Sequence, residues 1–270
     1  MSYLTKKDQK GKTRQIGKRG FRKGSYFTHL LKSAPEGKSV VDSRHELIAG
    51  YAMDLDPRIK TLQVQPFTLD VTTGEMLHTK DQLDRYREKL KTRGRQASLY
   101  TPDFALTMQD QTVRIIEIKD AAWIDFTDSY ARKIEAATEL LKVKGIHFEI
   151  LAGSYEDTLP CVQNLKLLHS INHQMNAKEV PPSLLDLTEK LQAVRVFAAQ
   201  MHESAEMLSV SEIADANGLS VVQVCMAIVM GIFDAPIWRE VINKKTLLSG
   251  AADDSMNCIR YEHFDLRRRT

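Results

Sequence analysis

The sequence holds only three cysteines, Cys161, Cys225 and Cys258, too far apart for a C-x-x-C pair. That argues against a disulfide framework or a cysteine-rich zinc module, and the expectation is reduced, structural thiols. No apolar run approaches the roughly twenty residues that cross a bilayer, so no membrane segment is expected. The N-terminus has charges with no apolar stretch behind them, unlike a secretory signal, and a cytoplasmic, nucleoid-associated location is the expectation. There is no G-x-x-x-x-G-K loop for nucleotide phosphates and no G-x-S-x-G elbow for a serine nucleophile. Any ATP-driven step would fall to a separate chain.

What is present begins with charge. The net charge is only +3, yet Lys6, Lys7, Lys10, Lys12, Arg14, Lys18, Arg19, Arg22, Lys23, Lys32 and Lys38 face only Asp8 and Glu36 before residue 40. Such an arm repels itself and attracts polyanions, since each cation placed on a phosphate releases condensed counterions. Lys12, Arg14, Lys18, Arg19, Arg22 and Lys23 are the candidate DNA contacts. Arg267, Arg268 and Arg269 form a second basic cluster. With 43% hydrophobic residues over 270 positions, the chain can bury one large core or two small ones, and two are favoured.

Along the chain, SRHELIAGYAMDLDP reads as a helix with Ser43 as N-cap, Glu46 near its start and a stop at Asp56-Pro57. TLQVQPFTL alternates as a strand, with Pro66 pointing to an edge or a bulge. The basic stretch TKDQLDRYREKLKTRGRQAS, broken by Gly94, reads as a partly helical surface insertion. YTPDFALTM and TVRIIEIKD follow as an antiparallel hairpin. A helix from about 125 to 144 presents Tyr130, Ile134, Ala137 and Leu141 on one face and ends at Gly145. IHFEILAG is a strand, and a further helix covers about 156 to 173. QMNAKEVPPS marks a domain boundary. Beyond it lie one long helix, a helix-turn-helix pattern turning at Asn217-Gly218, and IFDAPIWR and KTLLSG as short strands of a wing.

The chemistry concentrates on the hairpin. Residues two apart in a strand share a face, so Glu117 and Lys119 point the same way. A three-residue loop at Gln109 to Gln111 sets Asp103 opposite Glu117; a two-residue loop sends it to the far face. In the first case two carboxylates and an ammonium converge, and Glu46 can add a third carboxylate. Hard oxygen ligands suit Mg²⁺ or Mn²⁺, and the chemistry implied is phosphodiester hydrolysis. The bland alternative is a solvated strand with an exposed Glu117–Lys119 ion pair.

TPDF, EIKD and HELIAGYAMDLDPRIKTLQVQPF resemble the restriction-endonuclease-like nucleases, and more narrowly the TnsA-type endonuclease subunit of heteromeric transposases. The resemblance implies an α/β restriction-endonuclease-like core with a mixed central sheet, plus a C-terminal helical winged-helix-like domain. The divisions are a basic arm at 1–39, the catalytic domain at 40–175 and the C-terminal domain at 182–270. It further implies that Glu46, Asp103 and Glu117 bind the metal and that Lys119 is the catalytic lysine. The protein would cleave the 5′ ends of a transposon in double-stranded DNA, beside a DDE transposase (TnsB-type) and an ATP-dependent regulator (TnsC-type). The rival readings are a free-standing restriction or repair nuclease and a non-catalytic DNA-binding regulator on the same fold.

Three smaller expectations complete the reading. His45 and His78, on polar segments, are expected at the surface. His169 and His173 have the i, i+4 spacing of a zinc pair, with no third ligand evident. SVVQVCMAIVMG is apolar nearly all round and carries only Gln223 for base reading. Its part not covered by its own domain is expected to dock a partner subunit, leaving DNA contacts to Arg239, Lys244 and Lys245.

Overall fold

The computed structural model describes residues 25–33, 38–121, 129–154, 156–179, 181–251 and 258–265. The six candidate DNA contacts of the basic arm, all before residue 25, and the 267–269 arginines lie outside them, whereas residues 25–33, 38 and 39, which the sequence assigned to the same arm, are described and include a strand. The described residues fall into two compact units, one within Met1–Ala49, Ile59–Ser154 and Asp265–Thr270, the other within Gly50–Arg58 and Tyr155–Phe264.

The first unit opens with β1 (Tyr26–His29) and β2 (Lys38–Val41), an antiparallel pair. The helix α1 (Arg44–Leu55) follows, its residues from Gly50 on being grouped with the second unit. Its start is capped as the sequence predicts: Ser43 Oγ accepts from Glu46 N at 3.1 Å, and Glu46 accepts in return from Ser43 Oγ and Asp42 N, both at 2.9 Å. The strand expected over TLQVQPFTL is in fact two, β3 (Ile59–Val64) and β4 (Thr68–Asp70), in different sheets. Gln65 breaks them apart with φ +49°, followed by Pro66, which has no N–H to offer a ladder. β5 (Met76–Leu77), α2 (Lys80–Thr92) and β6 (Leu99–Tyr100) then form an excursion. β4 lies between β5 and β6 in a small antiparallel sheet. α2 is the helical insertion expected there; Thr79 and Gln82 form its capping box, and Leu83, Tyr86 and Leu90 bury its inner face.

The central sheet has the order β3, β7 (Phe104–Met108), β8 (Val113–Asp120), β9 (His147–Gly153). The first two pairings are antiparallel and the last is parallel, so the sheet is mixed. A parallel pairing needs a crossover, and α3 (Ser129–Val143) supplies it. Ile134, Ala137 and Leu141 of α3 pack with Tyr130 against Phe67, Leu69, Tyr100 and Ile115, as the helical spacing predicts. The residues before Ser129 that the sequence assigns to the same helix include 125–128, outside the described residues.

The second unit contains α4 (Pro160–Met175), which the sequence placed on the catalytic side of the boundary. Its buried Asn164 explains the grouping: Nδ2 donates to Ile237 O at 2.8 Å and Glu240 O at 2.7 Å, and Oδ1 accepts from Ile242 N at 2.9 Å. α5 (Pro182–Ser204), β10 (Met207–Ser209), α6 (Val210–Asn217), α7 (Val221–Val229), β11 (Phe233–Asp234) and β12 (Leu247–Gly250) follow. α6 and α7 meet at 102° across Gly218, whose φ of +59° closes the turn. β12 lies between β10 and β11, antiparallel to both. β10 is too short to be seen in the sequence. A Cβ on Gly250 would stand 1.8 Å from Ala198 O, so β12 approaches the α5 backbone as closely as only glycine allows.

α7 overturns the expectation of a helix with a face left for a partner. Gln223 to Ile228 are buried within the unit, and Val222 is the one large apolar residue of the helix that is exposed. Gln223 is spent internally, accepting from Ser220 N and donating to Ser183 O and Asp186. Arg239, Lys244 and Lys245 are exposed. Cys161 and Cys225 are buried, and burial pushes the Cys225 thiol up to about 11. Among the described residues no single helix is long and apolar enough to cross a membrane.

Candidate active site

The hairpin between β7 and β8 turns over Gln109, Asp110 and Gln111, with Gln111 at φ +68°. Met108 N donates to Thr112 O at 2.9 Å, closing the odd-numbered loop. The register Phe104↔Ile116 then places Asp103 beside Glu117, the outcome that the site requires. Asp103 is fixed on both sides. Its carbonyl accepts from Gln65 N at 2.8 Å, and its Oδ2 accepts from Ile118 N at 2.8 Å.

Glu117 is 3% exposed and Asp103 7% exposed, which removes the solvated-strand reading. Burial, then the charges of Glu117 and Glu46, holds the Asp103 carboxyl well above its ordinary range; the Ile118 N–H and Lys119 oppose this more weakly. The charges of Glu117 and Glu46 therefore both act on Asp103, with Glu46 in the first turn of α1. Like charges crowded in a desolvated site are destabilising unless a cation or a proton offsets them. Lys119 is one such cation, with Nζ 2.6 Å from Glu117 Oε1.

Two tyrosines that sequence reasoning did not place in the site hold Glu117 in position. Tyr100 Oη, from β6, donates to Oε2 at 2.6 Å, and Tyr130 Oη, from α3, donates to Oε1. Lys119 Nζ also lies 4.5 Å from the centre of the Tyr130 ring, a cation–π contact. Burial and the Glu117 charge hold the Tyr100 phenol well above its usual range, so it remains a donor. Tyr130 was legible only as part of a helix core face. Tyr100 carried no signal, because it reaches Glu117 from a strand of another sheet.

His45 is a correction. Its side chain is 13% exposed, and its Nε2 meets Asp120 Oδ2 at 3.2 Å, where a surface histidine was expected. Burial lowers its basicity and Asp120 only partly restores it. His78 is exposed, as expected. The His169–His173 pair is a second correction: Asp54 supplies the third donor that the sequence did not reveal, within the second unit.

Chemically, the first unit brings the carboxylates of Asp103, Glu117 and Glu46 close enough for their charges to act on one another, with the Lys119 ammonium beside Glu117. After accepting from Tyr100 and from the Ile118 N–H, Glu117 Oε2 and Asp103 Oδ2 keep a further lone pair for coordination, whereas Glu117 Oε1 already meets both Tyr130 Oη and Lys119 Nζ. No curated protein matches the chain. Residues 56–153 match the family model described as TnsA-like endonuclease N terminal, so over this span, which holds Asp103, Glu117 and Lys119 and begins after Glu46, the chain is similar to that family.

Proposed function

We propose that the chain is the metal-dependent DNA endonuclease subunit of a heteromeric transposase, hydrolysing phosphodiester bonds at the 5′ ends of the element. The observation that carries this reading is the convergence of Asp103, Glu117 and Lys119 on one hairpin inside the matched span. The buried, mutually repelling carboxylates fit a hard divalent cation, Mg²⁺ or Mn²⁺, held by Glu46, Asp103 and Glu117. Such a cation, when bound, supplies charge at the phosphorus and lowers the pKa of water. The remaining work belongs to the side chains. Lys119 places an ammonium beside Glu117, where it can orient the attacking water and offset charge as water adds to phosphorus and a P–O ester bond breaks. Tyr100 and Tyr130 fix the Glu117 carboxylate, and the Ile118 N–H fixes that of Asp103.

The wider organisation belongs to the same proposal. The chain comprises a basic arm before residue 25 that tracks phosphates, a restriction-endonuclease-like domain that takes in the β1–β2 pair, and a C-terminal winged-helix-like domain. The mixed sheet with its α3 crossover supports the nuclease domain. For the winged domain, the support is the order α5, β10, α6, α7, β11, β12, with three helices on a three-stranded antiparallel sheet. Because the recognition-helix position is occupied by the buried α7, DNA contacts in this unit come from Arg239, Lys244 and Lys245. The partners are a DDE transposase and an ATP-dependent regulator, acting with this chain on transposon ends in the cytoplasm.

The test is cleavage of end-bearing DNA in Mg²⁺, with and without the partner transposase. Cleavage of the 5′ strands only in the presence of the partner supports the proposal. Cleavage by the isolated chain would make it a free-standing nuclease, and no cleavage in either case would make it a regulator.

A further inference from the structure

We propose that Asp54, His169 and His173 form a second metal site, distinct in chemistry from the oxygen-only site and suited to a borderline transition cation such as Zn²⁺.

The second unit gathers these residues from two helices. His169 and His173 stand one turn apart on α4, so their rings lie on the same face. Asp54 lies in the last turn of α1, and Tyr51, three residues earlier, stacks on the His169 ring with centroids 4.0 Å apart and planes 24° apart. That stacking sets the ring so that its Nε2 is 3.2 Å from Asp54 Oδ2. One ligand atom from each of the three residues can be chosen so that all lie within 4.8 Å of one another.

The distances decide between a simple hydrogen bond and a ligand set. Charge-assisted N–H···O⁻ bonds run at about 2.7–2.9 Å. Donors of a tetrahedral zinc with bonds of about 2.0 Å stand roughly 3.3 Å apart. The 3.2 Å separation lies nearer the second value. The surroundings agree, since Asp54 is 1% exposed and His169 7%, a burial at which a carboxylate and an imidazole need strong compensation. His173 is half-buried and opens the cluster towards solvent, where water can complete a fourth position.

The donor chemistry separates the two sites. Two imidazole nitrogens with one carboxylate favour Zn²⁺ or Co²⁺ over Mg²⁺, while carboxylates alone favour Mg²⁺ or Mn²⁺. The role assigned is structural: the ion ties the last turn of α1 to α4. None of the three residues belongs to the Glu46, Asp103 and Glu117 set, so this inference stands or falls apart from the nuclease reading.

The experiment is titration of the chelator-treated full-length chain with Co²⁺ alone, read by the visible absorption of tetrahedral cobalt and by bound metal per chain. One Co²⁺ per chain is expected, displaced by Zn²⁺ but not by Mg²⁺. His173→Ala, whose folding is checked by circular dichroism, should weaken binding at least about tenfold, and His173→Gln serves if the alanine variant unfolds. Asp103→Ala should leave the cobalt spectrum unchanged. Absence of the band in the native chain, or equal affinity in the His173 variants, overturns the proposal.

Discussion

The backbone N–H of Ile118 donates to Asp103 Oδ2 at 2.8 Å, so the neighbouring strand itself holds the carboxylate in place beside Glu117. Such fixed geometry makes the site sensitive to truncation. Asp103→Ala, Glu117→Ala and Lys119→Ala should each lower 5′-strand cleavage by about a hundredfold to a thousandfold or more, with folding and complex assembly retained. A strand-specific cleavage assay with the reconstituted partners checks this. Near-native cleavage in any variant removes that residue from the mechanism. Glu46→Ala should weaken activity less but also destabilise α1 by about 1 kcal/mol, because the same side chain closes the cap with Ser43.

Tyr100 and Tyr130 act through Glu117. Tyr100→Phe and Tyr130→Phe each delete one donor while keeping the ring, so metal affinity should fall by roughly 10–100-fold, with the maximal rate at saturating metal changed less. The half-saturating Mg²⁺ concentration for cleavage, compared with the rate at saturation, separates this from a folding defect. An unchanged half-saturation would mean that the tyrosines only fill space.

Asp103 carries a cost that is visible in stability. Its carboxyl holds a proton to higher pH in the folded chain than at its ordinary value of 3.8. Above that value the folded state therefore binds more protons than the unfolded one, and stability falls as pH rises through the folded pKa. Asp103→Asn keeps an oxygen for the Ile118 N–H and removes the charge. It should raise the melting temperature at neutral pH in the absence of divalent metal by a few degrees, about what 1 kcal/mol gives in a chain of this size, and flatten the decline above pH 4. A lower melting temperature would contradict the assigned electrostatics.

Lys6 to Lys23 should act on DNA through phosphate charge. Removing residues 1–24 should weaken binding to any sequence alike, and flatten the log–log salt dependence by roughly one unit per lost contact. Salt titration by fluorescence anisotropy measures the slope directly. An unchanged slope leaves the arm without a role in DNA binding.

Asn164 should be as important to the second unit as Asp103 is to the first. Asn164→Leu strands two carbonyls and an N–H in a buried place, and should cost about 3 kcal/mol by chemical denaturation. A loss below about 1 kcal/mol would mean that water replaces the side chain.

Elements whose cause is local were legible in the sequence. The Ser43 cap, the spacing of Tyr130, Ile134, Ala137 and Leu141, and the hairpin with its odd loop all follow from neighbours in the chain. What the sequence hid depends on distant segments. TLQVQPFTL alternates evenly, and only the positive φ at Gln65 reveals that it serves two sheets. Asp54 reads as the end of a helix until α4 brings His169 to it, and His45 reads as a surface residue until Asp120 meets it. The apolar α7 invited a partner because the burial supplied by α4, α5 and α6 has no signature in α7 itself. The arm rests on charge alone, and charge did not reveal the β1–β2 pair at its C-terminal end.

The order of strands in the central sheet also sets an order of assembly. β7 and β8 are joined by their short turn, whereas Val64 can meet Phe104 only after α2 and three short strands have been looped out. Short closures cost less chain entropy and form sooner. Asp103, Glu117 and Lys119 thus lie on the part of the sheet that nucleates most readily, and β3 joins it late. Destabilising changes at the 109–111 turn should slow folding, while those in the α2 excursion should chiefly hasten unfolding. The Asp103–Glu117 hairpin is in this sense the seed from which the remainder of its sheet is built.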